Sequence, residues 1–254
     1  MQDPEQHVVF VTGASAGIGA AVARRFAAEG VRLVLTARRK ERLLDLAAEL
    51  PTATHVAELD VRDRGAVEAC VRALPAEFAA VTVLVNNAGA AHGVARVHEA
   101  DVADWEEMID TNVKGALYVI RALLPGMVQR DRGHVINVGS VAGTYAYAGG
   151  NVYGATKAFL TQLSLMLRAD IAGKNVRVTS IEPGMVANTE FSLVRYKGDA
   201  ARAKATYKGF PPLQPEDVAE AVCWCASLPR HVNVNRLELM SVMQSFAGFS
   251  VARS

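Results

Sequence analysis

His7-Val8-Val9-Phe10-Val11-Thr12-Gly13-Ala14-Ser15-Ala16-Gly17-Ile18-Gly19 passes from a β-branched run into a glycine-punctuated turn and on into a helical pattern over Gly17–Glu29. A short unbroken apolar run ended by glycine fits a strand covered on both faces. The glycines permit a tight turn and let the backbone come close to an anion at the helix N-terminus. A phosphate-binding loop is the direct reading; a merely structural strand-to-helix turn is the bland one. What surrounds the loop separates them.

Outward from the loop the same rhythm repeats. Val31–Thr36 precedes a helical pattern at Lys40–Leu50, Thr54–Glu58 precedes Asp63–Leu74, and Thr82–Val85 closes the first half. The second half has an amphipathic stretch from about Val102 to Gln129, a strand at His134–Val138 and a helix from about Val152 to Ala172. A strand at Val176–Ile181, a helix at about Glu216–Ser227 and a last strand at Leu237–Met240 follow. Strands alternating with long helices require a parallel sheet covered on both faces, since each parallel pair needs a crossover. The expected fold is α/β and doubly wound, one domain over residues 1–254. Its cofactor half is about 1–140, its catalytic and substrate half about 140–254. The least periodic segment, about 185–210, follows a strand end and is the candidate substrate lid.

With 51% hydrophobic and 21% charged residues the chain has the composition of a folded globular protein. A net charge of +1 provides no general attraction for nucleic acid or an anionic membrane. No apolar run approaches the roughly 20 residues of a membrane helix, and the acidic N-terminus does not resemble a secretory signal. A cytoplasmic location is expected, with no nucleic-acid and no membrane partner. Cys70, Cys223 and Cys225 read as reduced core thiols, and the six histidines never fall at a metal-ligand spacing, so no metal is expected.

At the end of the second strand, where a carboxylate would bond an adenosine ribose, the sequence has Thr36-Ala37-Arg38-Arg39-Lys40. Two guanidiniums suit a 2′-phosphate. They also oppose the dipole of the helix they begin, a local cost that a bound phosphate relieves. The pattern favours NADP(H) over NAD(H); a solvated charge run is the bland alternative.

Tyr145, Tyr147 and Tyr153 crowd one stretch, but only Tyr153 has a lysine, Lys157, four residues on. At i and i+4 they share a helix face, and an ammonium favours phenolate over phenol. A phenol titrating near 10 needs that help, from Lys157 together with a nicotinamide cation, to exchange a proton with an alcohol at neutral pH. Ser140, at the end of the fifth strand, can hydrogen-bond a substrate carbonyl as charge develops, or simply cap a turn. Asn112 is by itself only a polar interruption of a helix.

Together these residues resemble the short-chain dehydrogenase/reductase family over essentially the whole chain. Thr12–Gly19 matches its T-G-x-x-x-G-x-G loop, Asn86-Asn87-Ala88-Gly89 its N-N-A-G element, Pro183-Gly184 its P-G, and Ser140, Tyr153 and Lys157 its catalytic set. The resemblance implies a Rossmann-type seven-stranded sheet and gives Asn112 the role of holding a water that connects Lys157 to solvent. Cofactor contacts are implied for Gly13, Ser15, Gly17, Ile18 and Gly19 in the loop. Asp60 and Val61 fall at the adenine, Asn87, Gly89, Tyr153 and Lys157 near the nicotinamide ribose, and Pro183, Gly184, Val186 and Thr189 along the nicotinamide and its phosphates. Gly139 stands where the family more often has serine.

Within the family the chain looks most like the NADP-dependent 3-hydroxy acid dehydrogenases, on Tyr147–Phe159, Ile181-Glu182-Pro183-Gly184 and Thr189–Asp199. These stretches imply action on serine, allo-threonine and related acids, or reduction of malonic semialdehyde. Clustered Arg195, Lys197, Lys204 and Lys208 suit a small anionic substrate, with Arg195 first because a guanidinium grips a carboxylate bidentately. Substrate contacts are expected from Ser140, Tyr153 and Arg195. A 3-oxoacyl-thioester or general carbonyl reductase is the alternative within the class, a non-catalytic NADP-binding sensor the one outside it. The family's habit implies a homotetramer through the faces Leu117/Ile120/Leu124 and Ala158/Leu163/Leu165/Leu167.

Overall fold

Strand β1 (Val8–Thr12) is buried at every position, and in the computed structural model it lies in the interior of one open sheet. The structure describes residues 3–246; residues 1–2 and 247–254 of the expected domain lie outside them. After β1 come α1 (Gly17–Ala28), β2 (Arg32–Ala37), α2 (Lys40–Glu49), β3 (Thr54–Glu58), α3 (Arg64–Arg72), α4 (Ala76–Ala79) and β4 (Val83–Asn86). Then follow α5 (Val102–Ile109), a π-helical turn (Asp110–Gly115), α6 (Ala116–Gln129), β5 (Gly133–Val138) and α7 (Asn151–Asp170). β6 (Val176–Pro183), α8 (Phe191–Arg195), α9 (Ala200–Ala205), α10 (Pro215–Ser227) and β7 (Arg236–Leu239) complete the chain.

All seven strands pair in parallel, in the order β3-β2-β1-β4-β5-β6-β7. This is the doubly wound parallel sheet expected. The order reverses between β1 and β4, and ligands bind such sheets in the crevice outside the strand ends at that point. One apolar core joins β1, β2, α1, α2 and α10 on one face, the other joins α3, α6 and α7 on the opposite face. Local chemistry sets the helix starts. Asp63 accepts the Ala66 N–H before α3, and before α10 Gln214 and Asp217 form a reciprocal capping box with Pro215 in the first turn.

Two expectations gain detail. The amphipathic stretch from Val102 to Gln129 is two helices joined by the π-turn that carries Asn112. Of the expected assembly faces, Ile120 is 4% exposed and packs under its own sheet, where Leu124, Leu163 and Leu167 also pack. The apolar side chains these helices leave exposed are Val102, Ile109, Phe159 and Met166. The segment expected as a lid holds α8 and α9, and its two ends are bridged, with the Leu213 N–H donating to Met185 O and the Ala187 N–H to Leu213 O.

Candidate active site

A cavity of about 1080 Å³ runs along the carboxyl ends of the central strands, from Arg38 at one end to Tyr207 at the other. At its floor, α1 begins after Ala16, which is extended and gives no side-chain cap, so the first N–H groups of the helix have no capping side chain among the described residues. Gly13 and Gly17 have φ of +66° and +54°, a conformation that favours glycine. A Cβ on Gly17 would stand 3.1 Å from Thr189 Cγ2, so the lid's first residues lie against the loop. Ser15 and Ile18 line the cavity as expected, whereas Gly19 lies behind it, packed under Gly13 O. The Thr12 hydroxyl accepts from the N–H groups of Asn87 and Ala88 at 3.0 and 2.9 Å, and Asn87 Nδ2 donates to Thr12 O and Gly13 O. The N-N-A-G element thereby fixes the loop. These residues fit the diphosphate of a dinucleotide.

Arg38 and Arg39 both line the same end of the cavity. Arg38 has no hydrogen-bond partner among the described residues. Arg39 donates through Nη2 to Ser15 Oγ at 3.1 Å and bidentately to Glu190 at 3.1 and 2.7 Å, and Arg42 donates to the same carboxylate at 2.7 Å. The two guanidiniums hold the Glu190 carboxyl at about 2, well below its ordinary value. Asp60 and Val61 line the expected adenine position, and Arg62 grips the Asp60 carboxylate, which is shifted down by that contact.

Ser140 follows β5, and Tyr153 and Lys157 lie in the first turns of α7, each less than a tenth exposed. Tyr145 instead donates to Glu238 and stacks on Phe246, and Tyr147 is 44% exposed, so only Tyr153 is buried in the site. Burial pushes the Tyr153 phenol up to about 12, against a Ser140 hydrogen bond and the Arg195 charge that draw it down. Burial brings Lys157 down to about 8, although its ammonium donates to Val138 O at 2.8 Å. Acting alone, these side chains keep Tyr153 as a neutral acid. Proton removal needs further positive charge beside the ring.

Asn112 is 1% exposed and stands behind the cavity. Its Nδ2 donates to Ala90 O and Thr156 Oγ1, and its Oδ1 accepts the Ala90 N–H at 2.8 Å. A Cβ on Gly89 would lie 3.2 Å from Asn112 Oδ1 and 3.5 Å from Lys157 Nζ, so that glycine keeps open the gap between them. Gly139 is similarly constrained, because Ser180 Oγ and Glu182 Cγ leave only 3.1 and 3.2 Å for a Cβ. Glu182 is itself fully buried and held by Arg236, Thr161 and Ser180.

Pro183, Gly184, Val186 and Thr189 line the cavity after β6. Arg195 lines it too, donating through Nε to Gly93 O and through Nη2 to Gly149 O. Nη1 has no hydrogen bond among the described residues. The other lid cations expected there turn away: Lys197 bonds Asp104 at 3.0 Å, and Lys204 and Lys208 do not line the cavity. Arg202 does, with its guanidinium over the Tyr196 ring. Arg42, Arg62, Glu190 and Arg202 were not singled out from the sequence. Arg42 alone carried a signal, one helical turn beyond Arg39.

Among the described residues no helix is long and apolar enough to cross a membrane, and no cluster of three or more His, Cys, Asp or Glu side chains is placed to hold a metal. A model of the short chain dehydrogenase family matches residues 7–197. The chain is 57% identical over 247 residues to the NADP-dependent 3-hydroxy acid dehydrogenase YdfG of Salmonella typhi, with 97% of this chain and 100% of that protein covered. It is 50% identical to a serine 3-dehydrogenase of Agrobacterium fabrum, covering 96% of this chain and 98% of that one. Among solved structures, the closed form of serine dehydrogenase complexed with NADP+ superposes with a TM-score of 0.96 at 55% identity, covering 97% of this chain and 100% of that chain.

Proposed function

We propose, from the premise that this chain belongs to the short-chain dehydrogenase family, that it is an NADP(H)-dependent oxidoreductase interconverting a small 3-hydroxy acid and its 3-oxo acid or semialdehyde. Serine, allo-threonine and 3-hydroxypropionate are the substrate type. The observation that carries this reading is the position of Arg195, which brings a guanidinium with a free Nη1 to the wall that holds Tyr153. An uncharged ketone has no use for a cation there; a carboxylate does.

When bound, the nicotinamide supplies or accepts the hydride at the substrate carbon. Tyr153 gives a proton to the carbonyl oxygen in reduction and takes it back in oxidation. Ser140 donates its one hydroxyl proton to that oxygen as charge develops. Lys157, joined to Val138 O, bonds the nicotinamide ribose and adds positive charge near the phenolate. Asn112, fixed by Ala90 and Thr156, holds a water that connects Lys157 to solvent. Gly13, Ser15, Gly17 and Ile18 cradle the diphosphate, Arg38 and Arg39 the 2′-phosphate, and Asp60 and Val61 the adenine. Residues 185–210 cover the substrate.

The chain acts in the cytoplasm as a homotetramer, supported by the exposed Val102, Ile109, Phe159 and Met166 on α5 and α7. A monomer by light scattering at micromolar concentration would refute the assembly. The activity is tested by initial rates of NADP reduction with L-serine, allo-threonine and 3-hydroxypropionate, beside NADPH oxidation with a 3-oxoacyl thioester. Turnover of the acids above the thioester is expected; the reverse order would make the chain a thioester reductase.

A further inference from the structure

Glu190 joins two parts of the site through protein contacts alone. It stands at the N-terminal end of α8, the lid helix that also carries Phe191, packed on the Tyr153 ring at 5.5 Å, and Arg195. Its carboxylate is taken by Arg39 and Arg42 at the start of α2. A five-residue helix thus spans from the 2′-phosphate end of the cleft to the substrate end.

The two arginines are not equivalent. Arg39 lines the cofactor cavity beside Arg38 and Ser15. Arg42 does not line it; it faces a shallow depression behind, with Asp45 and Glu49. A phosphate entering the cavity reaches Arg39 and competes there with Glu190, since two anions are drawn to one guanidinium. Arg42 lies outside the cavity lining and is left to Glu190. Arg39 and Arg42 face the single Glu190 carboxylate, and Arg38, lining the cavity beside Arg39, has no hydrogen bond among the described residues, so an anion entering here meets more than one guanidinium.

We propose that Glu190 is a positioning residue that gives up Arg39 to the 2′-phosphate while keeping Arg42, so that Arg42 anchors the lid without touching the cofactor. The proposal rests on the NADP assignment made above. Glu190 opposes cofactor binding modestly and supports substrate binding, two effects of opposite sign on one side chain. A purely structural role would weaken both together. The three side chains are 38–50% exposed, so each effect is a few-fold rather than orders of magnitude.

The test measures NADP and NAD dissociation constants by calorimetry, with KM and kcat for a 3-hydroxy acid, in four forms of the full chain. Glu190→Gln is expected to bind NADP about threefold tighter with NAD unchanged, and to raise the hydroxy-acid KM about fivefold while kcat holds within about twofold. Arg42→Gln leaves Glu190 only Arg39 to hold, so NADP should bind about threefold weaker and KM should rise. In the double variant NADP affinity should return to the wild-type value or better while KM stays high. Weaker NADP binding by Glu190→Gln, or a double variant as weak as Arg42→Gln, would overturn the proposal, the latter by making Arg42 a direct phosphate ligand. A wild type that binds NAD as tightly as NADP would instead remove the cofactor assignment, and the proposal with it.

Discussion

The guanidinium carbon of Arg195 lies 5.7 Å from the ring centroid of Tyr153 and 5.4 Å from that of Tyr147. A lid cation and the proton-exchanging ring therefore share one wall of the cleft. Arg195 is kept there by Gly93 O and Gly149 O, one from the loop after β4 and one from the loop before α7. The same charge helps draw down a phenol that burial drives up.

Replacing Tyr153 with Phe keeps the ring on Phe191 and removes the transferable proton. Turnover should fall at least about 100-fold, as general acid–base terms supply roughly 10²–10⁴, with NADP affinity nearly unchanged by calorimetry. A variant retaining more than about a tenth of the rate would remove Tyr153 from the proton step.

Lys157 is a stability burden that function retains. Its folded value of about 8 lies below the ordinary 10.5, so the unfolded chain binds the extra proton and stability rises with pH between the two values. Below pH 8 the deficit is fully present, of order 3 kcal/mol at ~1.4 kcal/mol per tenfold. The lost bond to Val138 O offsets about 1 kcal/mol of it. Lys157→Met should therefore be inactive yet more stable than wild type by about 1–3 kcal/mol at pH 6, an advantage that shrinks toward pH 10. Urea unfolding at both pH values checks this; equal destabilisation at both would contradict it.

Changing Arg38 and Arg39 together to Ala removes the cations facing the 2′-phosphate position. NADP affinity should drop while NAD affinity holds, moving the preference at least about tenfold, since charge-assisted bonds are worth ~1.5–3 kcal/mol each. An unchanged ratio of dissociation constants would leave both arginines as surface charge.

Features set by neighbours in the chain were legible in the sequence. The glycine turn after Val8–Thr12 and the i, i+4 pair Tyr153 and Lys157 depend on spacing alone, and the strand and helix periods carried the sheet. Contacts between distant segments were not. Glu190 lies 148 residues from Arg42, and nothing in either local sequence states that they meet. Among the lid cations, the chemistry of a guanidinium put Arg195 first, but nothing in the sequence showed that Arg202 also lines the cavity or that Lys197 is bonded to Asp104. Ile120 belonged to an apolar helix face, but periodicity does not say whether its own sheet or a second copy covers it. The π-turn at Asn112 similarly left no mark beyond a polar residue in a helical run.

The claim that the cleft is built for a carboxylate-bearing substrate is tested most directly by Arg195→Ala, assayed for kcat/KM on serine, 3-hydroxypropionate and an uncharged ketone of similar size. Loss of a cation that grips the carboxylate should lower kcat/KM for both acids about tenfold or more beyond any loss on the ketone, at 1.4 kcal/mol per decade, since the ketone shares only the effect of the Arg195 charge on Tyr153. Equal losses on all three would make Arg195 a clasp between the Gly93 and Gly149 loops, and undiminished activity on the acids would contradict the account.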